Sequence, residues 1–170
     1  IEGYTSKKAN FISDRIAEGG LKIFAECIPA IKALDFNYEI REKLILMSTM
    51  AGMVIAQAGT SLPHACGYMP TYEKGIPHGR ANAIFTRAYL ELFPDQTKTN
   101  TILQILGFED LEEFNNFLKS VLEEREDFTE ADVERYTDAL MANPGKLALH
   151  PHPLTRGEVY EMYKKSLLLY

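Results

Sequence analysis

Four histidines are the residues of this chain best suited to bind a metal or move a proton, and they fall into two unlike pairs. His64 follows Pro63, and His78 follows Pro77 fourteen positions later, with a Gly- and Pro-punctuated stretch returning the chain between them. Two imidazoles at the ends of facing helices can converge on one ion. A metal ligand must be a neutral imidazole, and the positive end of a helix dipole disfavours the imidazolium, which suits His78 for this role. On spacing alone the structural alternative stands ahead: His64 as a hydrogen-bonded core residue and His78 as a helix-start residue, because two widely spaced histidines are a weak signal. His150 and His152 sit in His-Pro-His-Pro, where prolines favour an extended backbone that sends side chains i and i+2 to opposite sides. That pair reads as an exposed connector and a bad chelator. Cys66, two residues after His64, permits metal or redox chemistry but more commonly packs as a buried thiol. The run Glu123-Glu124-Arg125-Glu126-Asp127 reads as a solvated helix end, and no serine or cysteine lies in a nucleophile-elbow or cysteine-protease context.

These residues need helices to position them, and helical periodicity is present almost throughout. Ile12, Ile16, Ile23, Phe24, Cys27 and Ile28 form one stripe, predicting a first long helix from Ser6 to Ile28 that Pro29 ends, with Gly19-Gly20 marking a close approach to a neighbour. From Glu39 to Ala58 the chain is apolar nearly all round, which predicts a central buried helix. Gly59-Thr60-Ser61-Leu62-Pro63 breaks it, and irregular structure is expected as far as Pro77-His78-Gly79. Periodicity resumes with Ala81, Ile84, Phe85, Ala88, Tyr89 and Leu92, and again with Leu111, Phe114, Phe117, Leu118 and Val121. Thr129-Glu130-Ala131-Asp132 and Thr155-Arg156-Gly157-Glu158 each have the spacing of a capping box. No run alternates with period two, and neither G-x-G-x-x-G nor G-x-x-x-x-G-K-[ST] occurs. The expected fold is all-α, a multi-helix bundle of seven to nine helices in one domain, without a dinucleotide-binding half.

Composition narrows the function classes. With 170 residues and 46% hydrophobic content the chain can bury a core. A net charge of -6 disfavours nucleic acid, which needs a basic stripe. No apolar segment approaches the roughly 20 residues that span a bilayer, so no membrane partner is expected. Cys27 and Cys66 are too few and too scattered for a disulfide framework and read as thiols in a reducing, cytoplasmic compartment. Ile1-Glu2-Gly3-Tyr4 looks like the tail of a helix and not like a signal peptide, which suggests a chain cut at its N-terminus.

The residues around the first histidine pair carry a resemblance that changes its reading. Gly59-Thr60-Ser61-Leu62-Pro63-His64-Ala65-Cys66-Gly67-Tyr68, followed by Gly75-Ile76-Pro77-His78-Gly79-Arg80-Ala81-Asn82-Ala83, resembles the signature of the iron-containing (group III) alcohol dehydrogenases. There a histidine in a G-x-x-x-x-H context is followed fourteen positions later by that of a P-H-G-x-A-N run. Similarity extends to Ser6-Lys7-Lys8-Ala9-Asn10, to Met50-Ala51-Gly52 and to Leu154-Thr155-Arg156-Gly157-Glu158-Val159-Tyr160, like the family's final helix. The resemblance implies the helical C-terminal domain of a two-domain dehydrogenase, with an N-terminal dinucleotide-binding domain absent. It implies a divalent metal, Fe2+ or Zn2+, held by one Asp and three His, of which His64 and His78 match two and the others would precede residue 1. It implies NAD or NADP in the complete enzyme, an alcohol and aldehyde or ketone as substrates, and no activity for this domain alone. Many members carry a histidine where this chain has Tyr68, which becomes a candidate contact to the cofactor, and Ile55 becomes a candidate wall of the substrate pocket. A homo-oligomer stays open. Two further readings compete: a non-enzymatic helical interaction module, and a small metal-storage or sensing domain using His64, His78 and Cys66.

Overall fold

The computed structural model describes residues 1–122 and 126–169. Among these it contains eleven α-helices and no strand, so the all-α expectation holds with a larger helix count. The expected acidic helix end at 123–127 lies mostly outside the described residues. Among the described residues no single helix is long and apolar enough to cross a membrane. The helices fall into two compact units, described separately below: residues 1–59 with 95–121, and residues 60–94 with those from 122 onward.

In the first unit, α1 (Glu2–Thr5) and α2 (Phe11–Lys32) replace the single helix expected from Ser6 to Ile28. The reason is local. Ser6 is extended, with ψ 149°, and Asn10 restarts the helix by accepting from the backbone N–H groups of Ile12 and Ser13 while Ser13 Oγ accepts from the Asn10 N–H. Pro29 does not stop α2; it is carried inside it, and the helix ends at Lys32, ahead of Leu34 at φ 54°. α3 (Tyr38–Ala58) crosses α2 where the glycine pair predicted contact: a Cβ on Gly19 would lie 2.8 Å from Met50 Cε. α3 is not the buried central helix its composition suggested. Ile45, Leu46, Met53 and Ile55 are exposed, and only Val54 and Ala58 are fully covered. An all-round apolar helix states that its faces are apolar, not which of them a neighbour covers. α7 (Thr97–Leu106) and α8 (Leu111–Leu122) complete this unit. Lys98 Nζ donates to the Tyr4 carbonyl and to Asp14 at 3.0 Å, tying α1, α2 and α7 together.

The second unit contains α4 (Leu62–Lys74), α5 (His78–Ala83), α6 (Thr86–Glu91), α9 (Glu130–Met141), α10 (Pro144–Leu147) and α11 (Arg156–Leu167). Its core is aromatic: Phe85, Tyr89, Tyr136 and Tyr163 are fully buried, with the Phe85 and Tyr163 ring centroids 5.4 Å apart, edge to face. The capping boxes expected at Thr129 and Thr155 both form, opening α9 and α11. The stretch expected to be irregular after Gly59 is instead mostly α4. Pro63 lies in its first turn, where no intrahelical N–H is lost, and only Gly75, left-handed at φ 70°, ends it.

Candidate metal centre

His64 stands in the first turn of α4 and His78 is the first residue of α5, which begins after the turn at Gly75 and Pro77. Close approach of α4 and α5 depends on a missing side chain. A Cβ on Gly67 would lie 2.2 Å from Asn82 Oδ1 and 3.3 Å from the Ala81 carbonyl carbon. Each helix is also anchored at a distance from the histidines. Arg80 forks onto the Glu126 carboxylate at 2.5 and 3.1 Å and donates to the Leu122 carbonyl. Glu73, at the far end of α4, accepts from Arg135 and from the Tyr136 hydroxyl at 2.8 Å on α9. Arg135, then Tyr136, hold the Glu73 carboxyl below its usual range, and burial together with Glu73 pushes the Tyr136 phenol up to about 12.

This scaffold brings the two histidines together, with ring centroids 5.1 Å apart and planes at 72°. His64 is half-buried and His78 exposed, so the pair is open to solvent on one side. The spacing suits shared ligation. An ion about 2.1 Å from a ring nitrogen stands about 3.2 Å from the ring centre, so two imidazoles holding one ion tetrahedrally have centres about 5 Å apart. Asn82, one turn along α5, points its amide nitrogen at His78 Nε2, 3.1 Å away. That contact sets the orientation of the His78 ring. Asn82 Oδ1 is buried with no hydrogen-bond partner among the described residues. Sequence reasoning passed over Asn82 as a functional residue, although it is the asparagine of the P-H-G-x-A-N run, four positions after His78.

Among the described residues no third His, Cys, Asp or Glu joins the pair in a group that could hold an ion. Cys66 therefore does not complete a three-ligand site. It is fully buried, and next to it the Tyr163 phenol is pushed far up, by burial first and then by Cys66. Tyr68 lies against His78, its ring stacked at 5.9 Å and 25°, and Lys146 Nζ stands 4.3 Å from the Tyr68 ring centroid. Ile55 belongs to the first unit, on α3, where it is 42% exposed.

The other pair departs from expectation. The backbone bends through residues 150–152 instead of running extended, and the His150 and His152 rings meet at 4.8 Å against Phe93. His150 is 3% exposed, so it is no exposed connector. Neither of its ring nitrogens has a hydrogen-bond partner among the described residues, and burial, with His152 second, lowers its pKa to about 4.

Residues 1–167 match the profile of the Fe-containing alcohol dehydrogenase family, C-terminal. An iron-containing alcohol dehydrogenase of Thermotoga maritima superposes with a TM-score of 0.85 at 33% identity, over 98% of this chain and 45% of that one. Probable alcohol dehydrogenase EutG of Salmonella typhimurium is 36% identical over 49% of this chain and 21% of its own length. The 4-hydroxybutyrate dehydrogenase of Clostridium kluyveri is 24% identical over 96% of this chain and 49% of its own. The chain thus spans about half the length of the solved structure or less of its relatives, and within them it corresponds to the helical domain. The two-histidine site, the helical architecture and these similarities together make the chain a member of the iron-containing alcohol dehydrogenase family, specifically its C-terminal domain.

Proposed function

We propose that this domain carries part of the metal shell of an NAD(P)-linked alcohol dehydrogenase, with His64 and His78 as two ligands of one divalent metal. The observation that carries the reading is the 5.1 Å approach of two imidazoles from separate helices, with the Asn82 side chain 3.1 Å from His78 Nε2 orienting that ring. Fe2+ is the metal the family name implies, and Zn2+ suits imidazole equally well. When bound there, the metal supplies Lewis-acid stabilisation of negative charge on the alcohol or carbonyl oxygen. The remaining ligands and the NAD or NADP site belong, in this reading, to an N-terminal dinucleotide-binding domain. The substrate is a small alcohol, and the product an aldehyde or ketone. His64 and His78 fix where the substrate oxygen sits; Tyr68, stacked on His78, forms an aromatic wall against which a nicotinamide ring or the substrate carbon chain packs. Misplacing the reacting oxygen by about an angstrom can cost on the order of a hundredfold in rate, so ligand loss is severe even in a folded protein.

Steady-state oxidation of short alcohols by the intact enzyme tests this. His64→Ala and His78→Ala are expected to lower kcat/KM by at least about a hundredfold, while His152→Ala changes it little. Near-normal turnover in both ligand variants returns the histidines to a structural role.

A further inference from the structure

Three ring nitrogens of the second histidine pair are used by nothing around them. Both nitrogens of His150 and Nε2 of His152 are buried without a hydrogen-bond partner among the described residues. A buried polar atom left unpaired carries a desolvation cost that a partner would offset, and three of them in one place point to a ligand. Prolines that send the two side chains to opposite sides would forbid chelation, but the bends at residues 150–152 remove that obstacle. The ring centroids stand 4.8 Å apart with planes at 88°. An ion about 2.1 Å from a nitrogen of each ring sits about 3.2 Å from each ring centre, and centres at this spacing subtend roughly 100° at it, between the square and the tetrahedral angle. Phe93 packs on both rings, at 5.0 and 5.7 Å, and Tyr89 packs on His150 at 5.9 Å, which fixes the rings in place. His152 is half-buried, so its side of the pair is within reach of water. The Glu158 carboxylate lies within electrostatic reach of both rings. The Thr155 N–H and hydroxyl both donate to Glu158 Oε2, which leaves Oε1 to offset a cation or to accept from water bound to it.

We propose that His150 and His152 are two protein ligands of a second divalent metal site, which takes an imidazole-seeking cation such as Zn2+ or Cu2+. The site lies in the segment between α10 and α11, apart from His64 on α4 and His78 on α5. Two neutral nitrogens select such cations over Mg2+ and Ca2+, which prefer oxygen. Among the described residues no third His, Cys, Asp or Glu completes the set, so water fills the remaining positions. Ligation here is independent of whether His64 and His78 hold a metal, and its effect is mechanical: the ion pins the segment leading into α11.

The test uses the intact His64→Ala/His78→Ala enzyme, in which the first pair supplies no ligand, with Zn2+ as the probe and Mg2+ as the control. The expected result is an anomalous zinc peak about 2.1 Å from a ring nitrogen of His150 and of His152, with a thermal unfolding midpoint that rises with Zn2+ but not with Mg2+. Adding His152→Ala, at the half-buried ring, is expected to abolish both the peak and the zinc-dependent rise while circular dichroism stays that of a folded helical protein. Should that variant not fold, Cu2+ bound to the His64→Ala/His78→Ala enzyme is expected to show electron paramagnetic resonance coupling to two imidazole nitrogens. No zinc at the pair, a water in its place, a rise that His152→Ala leaves unchanged, or copper coupled to fewer than two imidazoles overturns the proposal. Zinc at His150 and His152 in an otherwise unaltered enzyme whose His64 and His78 hold none supports it and overturns the earlier metal-site reading instead.

Discussion

His150 is buried, at 3% exposure, in an aromatic pocket of the second unit. Both its ring nitrogens are buried without hydrogen-bond partners among the described residues, with His152 4.8 Å away and the aromatic rings of Tyr89 and Phe93 around it. Its pKa falls to about 4 in the folded chain, against roughly 6.5 when unfolded. The unfolded state therefore binds the extra proton first as pH drops. His150 leaves stability untouched above pH 6.5, erodes it between 6.5 and about 4, and levels off below, for a total of about 3 kcal/mol. Denaturant unfolding followed across this range should show that decline, and His150→Leu should flatten it; an unchanged slope in the variant would place the titration elsewhere. At this scale the approach of His64 and His78 was legible only through the family resemblance of the runs that hold them, since spacing alone left a structural role ahead. The sequence misled at His150 and His152 because the rule for proline-flanked residues assumes extended backbone, whereas bends at 150–152 fold both rings onto Phe93. Nothing local signals those bends.

Between elements, the α4 and α5 contact governs the geometry of the histidine pair. Gly67→Ala would drive a methyl into Asn82, whose amide nitrogen is engaged by His78, and close against the Ala81 carbonyl. Overpacking of this kind costs about 1–3 kcal/mol. Chemical denaturation should show that loss, and the double variant Gly67→Ala/Asn82→Ala should recover part of it, because the nearest obstacle is gone. Equal stability of the two variants would mean that the helices simply move apart. At the start of α11, Thr155→Ala removes the side chain that accepts from the Glu158 N–H and should cost about 1 kcal/mol by the same measurement. Both capping boxes could be read in advance because they depend on four consecutive residues. α4 could not, because Pro63, Gly67, Pro70 and Gly75 look alike as breakers in a sequence but act differently in the helix. Pro63 sits in the first turn, Gly67 admits a neighbour, Pro70 is carried within the helix, and Gly75 alone terminates it.

For the molecule as a whole, the all-α class was legible because helical periodicity pervades the chain and period-two runs are missing. The division into two compact units was not, since it arises when residues 95–121 return to the helices of 1–59, a pairing that local pattern does not encode. Nor was the exposure of α3, where Ile45, Leu46 and Met53 face outward from an apolar helix. On the proposed reading this chain supplies two ligands of a metal shell, and since it contains no Gly-rich phosphate loop it should not bind a dinucleotide by itself. Calorimetry of this chain with NAD+ or NADP+ should give no saturable heat, and tight stoichiometric binding would contradict the division of labour proposed here. The central claim, that His64 and His78 hold one ion between them, is tested most directly by anomalous diffraction from crystals of the intact enzyme loaded with Fe2+ or Zn2+. The predicted result is a single strong peak about 2.1 Å from a ring nitrogen of each histidine, lost in the His64→Ala/His78→Ala double variant. No peak at these two rings, or full metal occupancy there in the double variant, would contradict it.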